Sequence, residues 1–331
     1  MDYGDTLRVA FKLWWEKKYL WLFGILVALF SNTVDFDFGG NGESGYGESR
    51  VSTFSEQGIE SLKDRLMSFV SGTDYLMLIV YIVIGVLVTL IFAAGAIYIG
   101  GKARTVLILV GMKHYKKEIE ALKLSQAWGM SGNYWVELLI MNLIIMLGYF
   151  LLGVIVALPV ILVLIVTGLN FGPGVLLILI PLACILIPVL FVCVIVTELV
   201  KELASREIVL NAKKAMEALK LSFVNFKHNW AEIVVSYLLS ILPSAAFGII
   251  IMIVLMPLGM LAVGGNYFLA AFSENDLPSI IYSVVMGILI WLISSLVVGP
   301  METFMAHYWN IVYDKLGLTK HSRETEEVEI V

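Results

Sequence analysis

Five ionisable residues lie where long apolar runs meet charged segments, and they are the first candidates for chemistry. Glu198 and Glu302 close two such runs, Glu137 and Glu232 open two others, and His307 follows Glu302 on the same segment. Desolvating a carboxylate is costly, so one at the edge of an apolar stretch is expected to face a partner, water or a bundle interior. Two readings stand. In one, the carboxylates ring the inner mouth of a central cavity, with Glu137, Glu232 and Glu302 turned toward its axis. In the other, all four sit in the headgroup zone, where Glu137 and Glu232 also favour the positive N-termini of the helices they open. Lys201 stands three residues after Glu198, placed to neutralise it locally. His307 is expected to point away from Glu302, toward the face of Asn310 and Asp314.

Other chemistry is missing from the sequence. It contains no Walker A, GxGxxG, HExxH or GxSxG pattern and no zinc-ligand spacing. His114, His228, His307 and His321 are far apart and read as solvated or interfacial. Cys184 and Cys193 share one apolar run without CxxC-like spacing and read as small inert hydrophobes. No enzyme, cofactor or metal centre is implied. Aromatics beside basic residues match a membrane interface better than a nucleic-acid platform.

The elements that must carry these residues follow from charge and hydropathy. The chain has 331 residues, 60% apolar and 15% charged, against roughly a quarter charged in an ordinary soluble domain. No Asp, Glu, Lys or Arg occurs from Leu138 to Thr197, from Ile233 to Ser273 or from Leu277 to Met301. These blocks are apolar on all sides, the pattern of helices embedded in lipid, where ~20 residues cross ~30 Å of hydrocarbon. The expected fold class is an all-α polytopic membrane protein of about six spans. The spans are about Trp14–Phe30, Tyr75–Ile99, within Tyr134–Val166, Val175–Thr197, within Trp230–Val263 and Ile280–Val298. The first is short of apolar residues and is read as an uncleaved span extended by interfacial anchors. Pro159, Pro243 and Pro257 should kink or break the third and fifth regions.

Lysine and arginine set the orientation. All but three of the 22 basic residues flank the spans on one side; Arg50, Lys63 and Arg65 lie on the other. The positive-inside rule therefore places both termini in the cytoplasm of a cell-membrane protein. The outer loop from Ser31 to Asp74 is expected to hold a mobile glycine-rich stretch, Gly39–Gly47, and an amphipathic helix between Ser55 and Ser71.

An internal repeat underlies this plan. Glu120-Ala121-Leu122-Lys123-Leu124-Ser125 recurs letter for letter as Glu217-Ala218-Leu219-Lys220-Leu221-Ser222. Asn133, Trp135 and Glu137 then correspond to Asn229, Trp230 and Glu232. A fainter copy opens the chain at Leu7, Arg8, Phe11 and Trp14. Each copy reads as an amphipathic cytoplasmic helix entering a span, either lying at the headgroups with lysines toward anionic lipid or packing with its siblings as a collar. In the third copy the apolar face is expected to begin at Ile208 and run through Ala212 to Phe226. The units, approximately 1–101, 102–200 and 201–318, each hold two spans and are therefore parallel, followed by an acidic tail over 319–331.

The Asn-Trp step into an apolar span, the Gly299-Pro300-Met301-Glu302-Thr303-Phe304 segment, the tail aromatics Tyr308, Trp309 and Tyr313, and the opening Phe11-Lys12-Leu13-Trp14-Trp15 together carry a resemblance. The chain resembles the membrane domain fused to some glycerophosphoryl diester phosphodiesterases and related prokaryotic polytopic proteins. The catalytic barrel of those enzymes is absent, so the resemblance implies a membrane module and transfers no catalytic residue. Two functions are expected from the whole: binding or helping to move lipid or another amphiphile, or serving as a structural or regulatory subunit that docks a partner membrane protein.

Overall fold

The computed structural model describes residues 2–30, 75–119, 122–166, 173–272 and 277–319. The outer-loop helix, the glycine-rich stretch and the acidic tail beyond Thr319 lie outside the described residues. All regular structure among the described residues is helical. The elements in chain order are α1 (Tyr3–Glu16), a 3-10 turn (Lys18–Leu20), α2 (Trp21–Phe30), α3 (Tyr75–Tyr115), α4 (Leu124–Met130), α5 (Tyr134–Val166), α6 (Pro173–Leu210), α7 (Ala215–His228), α8 (Trp230–Phe272) and α9 (Leu277–Lys315). Five of these, α3, α5, α6, α8 and α9, are long and apolar enough to cross a bilayer, and Lys18–Phe30 is a shorter apolar helix. The architecture is that of a multi-pass helical membrane protein.

The long helices exceed what a membrane requires. Helix α8 has 43 residues and α3 has 41, or about 60–65 Å at ~1.5 Å per residue. The surplus forms a packed end, called basal here, where Lys315 of α9 pairs with Asp5 of α1 at 2.8 Å. Both described ends of the chain therefore lie on one side. In the basal half α9 packs against α2, α8, α1 and α3, and α5 packs against α3 and α6. Its core gathers Ala10, Trp14, Leu199, Leu203, Ile233, Phe304, Tyr308 and Tyr313.

Three expectations about boundaries change. The first apolar region is not one helix from Trp14: α1 ends at Glu16, Lys17 leaves helical geometry, and α2 starts at Trp21. Trp14 instead anchors α1, its indole N–H donating to the Pro300 carbonyl at 2.7 Å. Helices α5 and α8 run unbroken through Pro159, Pro243 and Pro257. Hydroxyls bond the backbone in the turn around Pro243, where Ser240 donates to the Tyr237 carbonyl and Ser244 to the Ser240 carbonyl. The apolar face of α7 also begins later than Ile208, because Asn211–Lys214 forms a turn in which Ala212 has φ 53°. That helix buries its small residues Ala215, Ala218 and Ser222 and exposes the bulky Met216, Phe223 and Val224.

The distal halves behave differently. On α3, Val86, Leu87, Val88, Leu90, Ile91 and Phe92 are each more than half exposed, which leaves every face of that helix open. Phe150 and Ile155 of α5 and Ile185, Ile187 and Phe191 of α6 are exposed as well, but each of these helices keeps a half-buried stripe, Tyr149, Leu152 and Val156 on α5 and Leu182, Leu186 and Leu190 on α6. The hairpin of α8 and α9 is held at its distal end, where Tyr282 donates to the Leu261 carbonyl and Asn266 to Ser283. The molecule is thus tight at the base, and the distal half of α3 is splayed away from its neighbours.

Candidate functional site

A layer of charge marks the level at which α3, α5 and α6 converge. On α6, Val192 is exposed and Leu199 buried, and Glu198 and Lys201 sit at the step between them. Lys201 Nζ lies 3.6 Å from Glu198 Oε2, both side chains are nearly buried, and Tyr149 of α5 donates to Glu198 Oε1 at 3.1 Å. One turn below, Glu202 receives Arg206 at 2.5 Å from its own helix and Arg104 at 3.2 Å from α3. Arg206 is 2% exposed. A guanidinium at that depth persists only when it is paired, since an unpaired buried charge is strongly unfavourable. Below this pair, Glu207 accepts from Asn211 and Asn225, and Asn211 donates also to Tyr313 and to the Leu318 carbonyl. These bonds tie α6, α7 and α9 together.

A second polar group lies between α2, α3 and α9. His307 is 1% exposed, and among the described residues neither of its ring nitrogens has a hydrogen-bond partner. Its ring packs on the α3 backbone at Gly111, where an added Cβ would stand 2.9 Å from both His307 Nδ1 and Asn310 Nδ2. Asn310 donates to the Ile108 carbonyl at 2.9 Å. His114 is 5% exposed. Its Nδ1 lies 2.9 Å from the Ile119 carbonyl, which can only accept, so Nδ1 carries the proton. Its Nε2 meets the Tyr19 hydroxyl at 2.6 Å. The reading of these two histidines as solvated or interfacial is corrected in its solvated part: His307 is enclosed where α3 and α9 cross at Gly111, and His114 between Tyr19 and the turn at Ile119. His228 is exposed at the end of α7.

A third feature opens to the surface beside His114. A cleft of about 490 Å³ lies between α1 and the basal end of α3, lined by Val9, Lys12, Leu13, Glu16, Lys17, His114, Tyr115, Lys117 and Ile119.

No family model matches this chain, and no curated protein or solved structure matches it either.

The candidate residues named from sequence fall in different surroundings. Glu198 joins the charge layer through Lys201 and Tyr149. Glu137 accepts the backbone N–H of Ala215 at 2.9 Å and so satisfies a free donor at the start of α7. Glu232 is half-buried on the first turn of α8, and its carbonyl accepts the Ser236 hydroxyl. Glu302 is half-buried on α9 between the buried Met301 and Thr303. His307 lies on the basal side of Glu302, near Asn310 as the helical spacing implies. Sequence reasoning missed Arg206, Glu202 and Arg104. The available signal was the four-residue step from Glu202 to Arg206 inside an apolar surround of Leu203, Ala204 and Ile208. The two cysteines are free thiols, Cys184 exposed on the distal part of α6 and Cys193 half-buried.

Proposed function

We propose that this protein binds an amphiphile, or helps to move one, within the plane of the membrane. The observation that carries this reading is the distal half of α3, open on every face beside α5 and α6, above the charge layer of Glu198, Lys201, Glu202 and Arg104. An apolar helix that stands apart from its neighbours leaves room for acyl chains beside it. A paired but only partly enclosed set of charges at their base supplies contacts for a polar headgroup. A purely structural bundle would bring the same apolar faces together along their whole length, since close helix packing is the main stabilising contact available in lipid.

In this reading Lys18–Phe30 is the sixth crossing, and both termini face the cytoplasm, as the distribution of lysine and arginine requires. Three parallel units of two crossings each remain the simplest plan. It is supported by the letter-for-letter recurrence of Glu120–Ser125 as Glu217–Ser222. Helices α1, α4 and α7 then lie at the inner surface as interfacial helices, and the exposed Phe11, Trp15, Phe223 and Val224 are their membrane-facing residues. The resemblance to the membrane domain of glycerophosphoryl diester phosphodiesterases implies a membrane module of unassigned role, which leaves room for this reading.

The reading is tested by identifying the lipids that remain with the purified protein. Protein carried through repeated detergent exchange is denatured and extracted, and the extract is compared with that of an unrelated polytopic protein from the same membranes. One amphiphile class should be enriched. An extract indistinguishable from the control would end the proposal.

A further inference from the structure

We propose that the cleft between α1 and the basal end of α3 is a binding site for a phosphate-bearing group. Its carrier, an anionic amphiphile, rests on the reading above; the phosphate itself does not. At about 490 Å³ the cleft falls in the range of ligand sites, about 300–1,000 Å³. Its lining presents three lysines, Lys12, Lys17 and Lys117, and one acid, Glu16. Glu16 lies 3.9 Å from Lys12, with both side chains more than half exposed. Such a surface pair is weak and yields readily to a stronger anion. The adjacent Lys116 pairs with Asp314 at 3.2 Å. Lysine clusters of this kind suit phosphate oxygens, which accept charge-assisted hydrogen bonds from ammonium donors.

The wall that carries Lys117 is built rather than incidental. Helix α3 ends in a Schellman turn, with Glu118 N–H donating to the Lys113 carbonyl and Lys117 N–H to that of His114. The left-handed residue in such a turn is ordinarily glycine, as Gly317 is in the matching turn after α9, yet here it is Lys117 at φ 57°. A side chain at that φ is strained. Backbone strain of this sort concentrates at functional positions, and the strain here places an ammonium at the cleft. His114 acts as a strut: its Nδ1–H donates to the Ile119 carbonyl and its Nε2 meets the Tyr19 hydroxyl, which pins the turn against the start of α2. The lysines therefore meet a ligand on a fixed frame, which reduces the ordering that binding would otherwise require.

The membrane-facing residues next to the cleft identify the carrier. Phe11 and Trp15 on α1 are 56% and 53% exposed and stack at 6.5 Å, and Lys18 sits 4.2 Å over the Trp15 ring. Aromatics with snorkelling lysines mark headgroup depth. The cleft opens on a neighbouring face of the same helix, at the level of lipid phosphates.

The test titrates the full chain in a neutral detergent with dihexanoyl phosphatidic acid, followed by phosphorus NMR line broadening, with inorganic phosphate in a second arm and dihexanoyl glycerol as the uncharged control. Two variants are used, Lys117→Gly and the double Lys12→Gln, Lys17→Gln. Lys117→Gly should weaken binding of the acid by about fivefold and the double variant by about thirtyfold, while Lys117→Gly leaves the unfolding midpoint unchanged or raised because glycine relieves the turn. Inorganic phosphate binding as tightly as the lipid assigns the cleft to free phosphate; lysine-dependent binding of the lipid alone assigns it to a headgroup. Affinities within twofold of the wild type in both variants, or no binding of either probe at millimolar concentration, would overturn the site. If an amphiphile co-purifies and both variants bind as the wild type does, only the cleft assignment fails. If phosphate binds through the lysines and no amphiphile co-purifies, only the amphiphile reading fails.

Discussion

At the scale of single residues, the buried ion pairs decide how the base holds together. Arg206 is enclosed and depends on Glu202, which Arg104 also engages. Glu202→Ala should destabilise the protein by about 3–5 kcal/mol, because it leaves a buried guanidinium without its partner. The double variant Glu202→Met, Arg206→Met should recover most of that loss, since removing both charges also removes the desolvation penalty. Thermal unfolding in one detergent, for the single and double variants together, checks the pair; equal losses in both would show that packing and not charge is at stake. Residues of this kind were only partly legible in the sequence. The pairing of Glu198 with Lys201 follows from their spacing on one helix, and the structure places them 3.6 Å apart. The burial of His114 and His307 does not follow from local spacing, because it depends on α3 and α9 meeting across nearly two hundred residues of chain at Gly111.

Among the elements, α2 and α9 make the closest approach. A Cβ at Gly24 would collide with the Gly299 carbonyl, and one at Gly299 would meet the backbone of Ile25. Thr303 supports the crossing by donating to the carbonyls of Gly299 and Leu20 at 3.0 and 3.3 Å. Small residues at a helix crossing bring backbones into contact and supply much of the packing available in lipid. Gly24→Leu should therefore destabilise by about 3 kcal/mol or more, beyond the usual range for overpacking, because backbone atoms and not a flexible side chain occupy the space. Gly148→Ala and Gly287→Ala, where an added Cβ meets nothing within 4 Å, should be neutral. Unfolding midpoints of the three variants test the contrast, and a tolerated Gly24→Leu would contradict the crossing. The apolar helices themselves were legible, since a chain without charges over such lengths must satisfy its own backbone in lipid and does so as helix. Of the kink or break expected at Pro159, Pro243 and Pro257, the break is not found, because apolar surroundings favour keeping every remaining backbone bond over opening a gap.

For the whole molecule, the account makes a claim about orientation and a claim about contents. In a background lacking Cys184 and Cys193, cysteines at Ser49, Asn170 and Asn275 should react with an impermeant reagent from outside, and those at Lys117 and Lys214 only after the membrane is opened. Protection of Ser49 in intact cells would mean that Lys18–Phe30 does not cross. Orientation was a sequence expectation, drawn from lysine and arginine, that this labelling tests. The splay was not, because a helix apolar on all sides has no face that says which neighbour it meets. That splay is the basis of the central claim, and native mass spectrometry of the detergent-solubilised protein tests it most directly. At an activation energy that strips loosely held lipid from a control membrane protein, the 36.8 kDa chain should retain a single amphiphile of one chemical class in a substantial fraction of molecules. A bare chain under those conditions, or a ladder of unselected lipids matching the control, would contradict the account.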